Sequence, residues 1–384
     1  MGKGKTLNLD YSEHIDPDTH VKVTRLTPPN VTCHRNYFYQ KCFSNDGNKL
    51  LFGGGFDGHW NYYLLDLPTG VATQLTEGPG DNTFGGFLSP DDRHLYFVNG
   101  DRRLLKLDLA TLAESVVYEV PEHFVGYGTW VANSTCDKVV GIEIAESDYL
   151  PLTDWQKFNE FYFQRPRCRL LSIDLRDGSR TVIHEERQWL GHPIYRPFDD
   201  RTVAFCHEGP HDVVDTRMWL VNEDGTGVRK VHVHDQGESC THEFWVPDGS
   251  KMIYVSYRKG DSKRYIRSFD PQQETDMELM EMPSCSHLMS NFDGSLLVGD
   301  GCGTPVDVSD VGGHTIENDP YLYLFEPATR VTKRIAAHHT SWRVLNGNRQ
   351  VTHPHPSFTP DSRRVLFTSD RDGEPALYLA DLPS

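Results

Sequence analysis

One phrase recurs seven times along the chain, and no other feature restricts its fold as much. Each copy runs from a short aromatic or polar strand through a turn of the S-x-D-G or S-P-D-D kind into an apolar strand. The copies are CFSNDGNKLLF, FLSPDDRHLYF, VANSTCDKVVGI, YRPFDDRTVAF, FWVPDGSKMIYV, LMSNFDGSLLV and SFTPDSRRVLF. Asp46 and Asp91 are 45 residues apart, as are Asp248 and Asp293, and longer gaps fall from Glu143 to Pro166 and from Gly299 to Pro320. A third strand follows in each copy (NYYLLDL, RLLKLDL, ALYLADL) and usually a fourth (VATQLT, VRKVHV). Four short strands per repeat is the signature of a propeller. The expected fold class is therefore all-β: a seven-bladed β-propeller forming a single domain over residues 1–384. The last copy ends at ALYLADLPS without a fourth strand, while KVTRLT (22–27) echoes VATQLT. The N-terminal strand is thus expected to complete the last blade and remove an exposed sheet edge.

In a propeller the first strand of each blade lines the central channel. Counting five residues back from the proline position of the turn reaches His192, His242, His287 and His355 in four consecutive blades. The first three blades offer approximately Gln40, Gly85 and Thr129, so the histidines form an arc on one side. Channel-lining residues are often polar simply to hold water, but an arc of four is a stronger pattern than one such histidine.

In QVTHPHP (350–356), strand alternation predicts that His353 and His355 point to one side, with Cα atoms about 6.5 to 7 Å apart. His287 comes from the adjacent blade, and Gln350 lies just upstream, where its amide oxygen could supply a fourth ligand. Three imidazoles and an amide oxygen suit a divalent first-row ion, without choosing among Mn, Fe, Co, Ni and Zn. Cys240 and Cys285, each two residues before a histidine, are competing ligands that would favour zinc. They match as repeat copies in different blades, which counts against them. His242 lies one blade further on and reads as a base facing a substrate beside the ion. His192 is a weaker candidate.

The chain carries 38 Lys plus Arg against 55 Asp plus Glu, a formal charge of −17. That balance argues against nucleic acid as a partner, and an acidic small molecule would need a local cluster of cations. CHEGPHDVVDTRMWL brings His207, His211 and Arg217 to the same open end, and YRKGDSKRY adds Arg258, Lys259, Lys263 and Arg264. Arg217, beside a predicted strand start, carries the most weight. No run of eighteen apolar residues exists to span a bilayer. The N-terminus lacks the apolar run of a secretory signal, and the eight cysteines show no CxxC spacing. A soluble, cytoplasmic protein with reduced thiols is expected.

Across essentially its whole length the chain resembles the oligogalacturonate lyases, pectin-degrading polysaccharide lyases of the bacterial cytoplasm. LTPPNVTCHRNYFYQKCFSNDGNKLLF, HEGPHDVVDTRMW, SCTHEFW and QVTHPHPSFTPD carry the resemblance. It implies a manganese ion held by His287, His353, His355 and Gln350, with His242 as the Brønsted base and Arg217 as an essential arginine. It implies β-elimination on short saturated and 4,5-unsaturated oligogalacturonates, ending in 5-keto-4-deoxyuronate. His211 and Arg258 are carried as further substrate contacts. Positive charge near His242 should lower its pKa, giving an expected rate that rises toward mildly alkaline pH. The alternative function is a non-enzymatic propeller acting as a protein-binding platform. Such a platform would need neither a metal nor His242.

Overall fold

In the computed structural model, which describes residues 2–152, 155–211, 213–258, 263–301, 319–342 and 352–383, the strands form seven antiparallel sheets. Five are built wholly from chain-consecutive strands running outward from the channel, and the first and last blades add N-terminal strands at their outer edges. Blade five is typical, with Glu238–Trp245 innermost, then Met252–Arg258, Arg264–Asp270 and Thr275–Met282. The protein is an all-β, seven-bladed propeller.

The recurrent turn works through local hydrogen bonds. The Ser44 hydroxyl donates to Asp46 Oδ1 at 2.6 Å and accepts the Lys49 N–H at 2.9 Å. Ser89 repeats this with Asp91 and His94, and Thr359 with Asp361 and Arg364. Short polar side chains that satisfy turn amides in this way set where one strand ends and the next begins. The turns also bond to their neighbours. Asn45 Nδ2 donates to Pro90 O at 2.6 Å, Arg196 Nε to Gly249 O at 2.8 Å, and Asp248 N to Phe292 O at 3.0 Å.

The ring closes as the repeat count requires. Lys22–Arg25 pairs with Ala376–Asp381, with Val23 opposite Ala380 and Arg25 opposite Tyr378. Two further N-terminal strands were not anticipated. Ser12–Ile15 adds a fifth strand outside that pair, and Thr6–Asn8 adds a fifth strand to blade one beside Val71–Gln74. The N-terminal segment therefore covers two adjacent outer edges and bridges the seam where the ring is joined.

Cores lie between blades. One cluster joins Val140 and Leu170 of blade three to Val203, Phe205 and Leu220 of blade four and Tyr254 of blade five. Another joins Leu50 and Phe52 to Leu95, Phe97, Leu366 and Leu379 of the blades on either side. Each sheet is thus covered on both faces, which is why strands such as KLLFGG read as apolar runs instead of alternating. Each fully buried side chain of this size contributes about 1.5–3 kcal/mol. The first insertion holds the helix Trp155–Phe163, whose Phe161 packs 4.8 Å from the Trp189 ring. No described helix is long and apolar enough to cross a membrane.

Candidate metal centre and active site

The channel histidines sit where the innermost strands break register. The pairing of the first two strands shifts between Tyr127 and Val131, Gly191 and Ile194, Thr241 and Phe244, and Cys285 and Leu288. These are β-bulges at one level of successive blades, and a bulge re-aims the side chain it carries. His192, His242 and His355 have φ of 47°, 55° and 45°, left-handed values uncommon outside glycine. Strained conformations of this kind persist only where the surrounding structure over-determines them, and they cluster at functional sites.

The rings converge. His287 lies 4.1 Å from His355, 5.4 Å from His353 and 4.7 Å from His242, measured between ring centroids. A ligand nitrogen of each of His287, His353 and His355 lies within 4.8 Å of the others. The expected reason for the His353–His355 match does not hold, however. Ladder pairing in blade seven starts at Ser357, opposite Leu366, so both histidines precede the strand. The chain turns at His355 and is held by two contacts: Thr368 N donates to Pro354 O at 2.9 Å, and Arg35 Nη1 donates to His355 O at 3.0 Å.

The donor set fits a cation. Asp300, fully buried, accepts the His287 backbone N–H at 2.6 Å and its Nδ1–H at 2.8 Å, which leaves Nε2 as the free lone pair. His355 Nε2 is buried with no hydrogen bond among the described residues. Burial, then the neighbouring histidines, holds the His355 pKa well below its ordinary value, so its lone pair stays available. Cys240 and Cys285 are buried outside this group, and burial pushes the Cys240 thiol well up. Gln350 and Lys259 lie outside the described residues.

Beside the triad, His242 makes no hydrogen bond through Nδ1 among the described residues. Burial first, then the neighbouring His287, Arg217, His211 and His192, keeps its pKa well below 6.5. It is a neutral imidazole with a usable lone pair. Arg217 is only 4 % exposed and its guanidinium is already engaged. Nε donates to Glu243 at 2.9 Å and Nη1 to Glu208 at 3.2 Å. His192 Nε2 lies 2.9 Å from Glu208 and its Nδ1 3.8 Å from Glu243, closing a square of Arg217, His192 and two glutamates. Although burial opposes the charge, the two glutamates raise the His192 pKa, while Arg217 and His192 hold both carboxylates down.

The rim residues separate into different environments. His211 donates or accepts through Nδ1 with Tyr257 Oη at 2.5 Å, and burial lowers its pKa to about 4. Arg258 is 56 % exposed and paired with Asp235 at 2.9 Å, and Lys263 pairs with Glu281. Arg264 stacks over Tyr257, 4.4 Å from its ring, and donates to Ser284. His207 bonds Glu186 between blades three and four instead of facing the channel.

Sequence reasoning missed the floor. Residues 34–42 cross beneath the histidines in place of a regular inner strand. Buried Arg35 donates to the carbonyls of Asn36, Phe38 and His355 and to Ser357, with no carboxylate partner among the described residues. Gln40 braces the Gly85 and Trp130 carbonyls, and Thr129 bonds Tyr39. The equivalents of the histidines in blades one to three are therefore structural ties. Glu208 and Glu243 stood in the motifs, beside His207 and His242, but nothing local showed that they meet.

The sequence profile of the family described as oligogalacturonate lyase matches residues 1–384. An oligogalacturonate lyase of Dickeya dadantii (strain 3937) is 65% identical over 383 residues, covering 100% of this chain and 99% of its own. A structure of an oligogalacturonate lyase in complex with manganese superposes with a TM-score of 0.96 at 64% identity, covering 100% of this chain and 99% of that one. The oligogalacturonate lyase of Vibrio parahaemolyticus gives a TM-score of 0.94 at 59% identity, with the same coverage.

Proposed function

Because the chain belongs to the oligogalacturonate lyase family and is a lyase acting on oligogalacturonates, we propose that it cleaves digalacturonate and 4,5-unsaturated digalacturonate by β-elimination. His242 takes the C5 proton, and the product is 5-keto-4-deoxyuronate. Membership of an enzyme family sets aside the protein-binding platform. The observation that carries the mechanism is one juxtaposition: a neutral histidine, free of hydrogen bonds through Nδ1, in ring contact with a member of a three-imidazole cluster.

The C5 hydrogen lies α to a carboxylate already anionic, so its removal needs that negative charge to be countered. His287, His353 and His355 would hold a divalent cation, with Gln350 as the fourth protein ligand on the strength of the sequence motif. Bound there, manganese, the ion in the relative's structure, would supply Lewis-acid withdrawal of charge from the substrate carboxylate. Asp300 orients His287 for this role, and Arg35 orients His355.

Arg217 supplies a second positive centre. Its Nη2 makes no hydrogen bond among the described residues, so it can meet one carboxylate oxygen, whereas a bidentate grip would compete with Glu208 for Nη1. A preorganised donor of this kind contributes about 2.7–4 kcal/mol to the transition state. Since Glu208 and Glu243 balance the charge of Arg217, attraction of the anionic substrate falls to the cation the histidine cluster would hold and to the cations without a carboxylate partner among the described residues, Arg35 below and Arg264 at the rim. His211 contacts the sugar from the rim, and Arg258 does so only by leaving Asp235.

The test is to load the purified protein with manganese, supply digalacturonate, and compare product formation by wild type and His242→Ala. A metal-dependent product that the substitution reduces by about 10²–10⁴ is expected. Absence of product, or an unaffected variant, overturns the reading.

A further inference from the structure

The arc of channel histidines is open on one side, and Tyr37 stands in the opening. Its ring meets both ends of the arc edge-on, 5.3 Å from His355 and 5.9 Å from His192 by ring centroids. His242 lies in the middle of the arc, beside His287. The Tyr37 backbone is pinned, its N–H donating to Phe84 O and its carbonyl accepting from Gln40 N, both at 2.8 Å. Its ring is half-buried, and among the described residues its hydroxyl has charged neighbours but no hydrogen-bond partner. Among the described residues, the neighbouring hydroxyls and charged groups already have partners. Tyr39 Oη bonds Thr129, Tyr257 Oη bonds His211, His192 Nε2 lies on Glu208, and Arg217 is held by two glutamates.

The elimination needs two proton transfers. In a galacturonate chair the C5 hydrogen and the C4 oxygen are both axial and on opposite faces, so base and acid must face each other across the sugar. The departing oxygen becomes a hemiacetal hydroxyl, a poor leaving group as an anion. Resting on the lyase reading above, we propose that the Tyr37 hydroxyl is the general acid that protonates the C4 oxygen as it leaves. His242 accepts the C5 proton, and the C–H pair becomes the C4=C5 double bond. The C4–O pair goes to oxygen, which takes the phenolic proton. The resulting tyrosinate regains a proton from water and His242 releases one, so the enzyme returns unchanged.

The test compares Tyr37→Phe with wild type, both loaded with manganese, on digalacturonate and on methyl 4-deoxy-4-fluorogalacturonide, whose fluoride leaves without protonation. On digalacturonate kcat should fall by about 10²–10⁴, with KM within about threefold. Fluoride release should stay within about threefold of wild type, because only the leaving-group step has lost its donor. Bound manganese per chain and the thermal midpoint, measured on the same samples, report a folding defect. Wild-type enzyme alone gives a second reading: a solvent deuterium isotope effect on kcat with digalacturonate that is absent with the fluoride. An unchanged kcat on digalacturonate, an equal loss on both substrates, or equal isotope effects overturns the role of Tyr37. A wild type inactive on digalacturonate overturns the lyase mechanism itself.

Discussion

Replacing Asp300 by asparagine tests whether metal affinity is set one step behind the ligands. Asp300 is fully buried and uses both oxygens on His287, one for the backbone N–H at 2.6 Å and one for Nδ1–H at 2.8 Å. Asparagine is nearly isosteric but offers one acceptor. Whichever N–H keeps the oxygen, the other faces an amide NH2 and loses its partner. Losing one hydrogen bond to a charged group costs about 1.5–3 kcal/mol. Groups that orient a metal-bound histidine typically govern about 10–100-fold in affinity, which is about 1.4–2.7 kcal/mol, so the two routes to the magnitude agree. Manganese binding is measured by titration, reading the free ion by electron paramagnetic resonance, with thermal unfolding of the metal-free proteins as the check on folding. The dissociation constant should rise about 10–100-fold. If it stays within about threefold while His287→Ala weakens binding strongly, Asp300 does not orient the ligand and the reasoning is refuted.

The His242 pKa lies well below 6.5 because of burial and then the neighbouring histidines and Arg217, and a base is lost only as pH falls through its pKa. With all else saturating, kcat should therefore be flat from about pH 6.5 to 8 and decline on the acid side, not climb toward alkaline pH as the sequence suggests; a profile rising steadily to pH 8 would contradict this. Glu243→Ala leaves buried Arg217 with only Glu208 and should cost about 3–5 kcal/mol of stability, read from urea denaturation, while a loss under 1 kcal/mol argues against the charged square. His232 lies 2.7 Å from Asp276 and 2.9 Å from Glu238; burial opposes its charge, but these carboxylates lift its pKa to about 9. Its stabilisation is fully present below about pH 6.5 and lost as pH rises through about 9, amounting to about 1–2 kcal/mol after allowance for partial exposure. The difference in urea midpoint between wild type and His232→Gln should shrink over that interval, and a constant difference would show that the ion pair contributes nothing.

Much of the site was legible because it repeats. The turn that ends each inner strand places His192, His242, His287 and His355 by a fixed count, and the structure brings the last three into ring contact. The aim of those side chains was not legible, since it depends on bulges at His192, His242 and His287 and on left-handed φ at His192, His242 and His355, neither of which the repeat pattern marks. His353 joins the group for a reason that strand alternation does not contain. The cations were legible only as charges. Arg217, Arg258 and Lys263 each meet acidic partners, which converts a supposed basic cluster into pairs and leaves Arg264 as the rim cation without one among the described residues.

What the sequence determined by itself is the propeller: seven blades, their register, and closure by Lys22–Arg25 on the final sheet. Those features rest on hydrogen bonds spanning a few residues, such as Ser44 to Asp46, and on strands that are apolar because both faces are covered. What only the tertiary structure decided is how the site is held. Arg35 grips His355 across 320 residues of chain, Glu243 meets Arg217 across 26, and Tyr37 reaches both ends of the histidine arc only because residues 34–42 cross the channel floor. Contacts of that kind exist only once the ring has closed and brought distant blades to a common axis, so no local pattern could encode them.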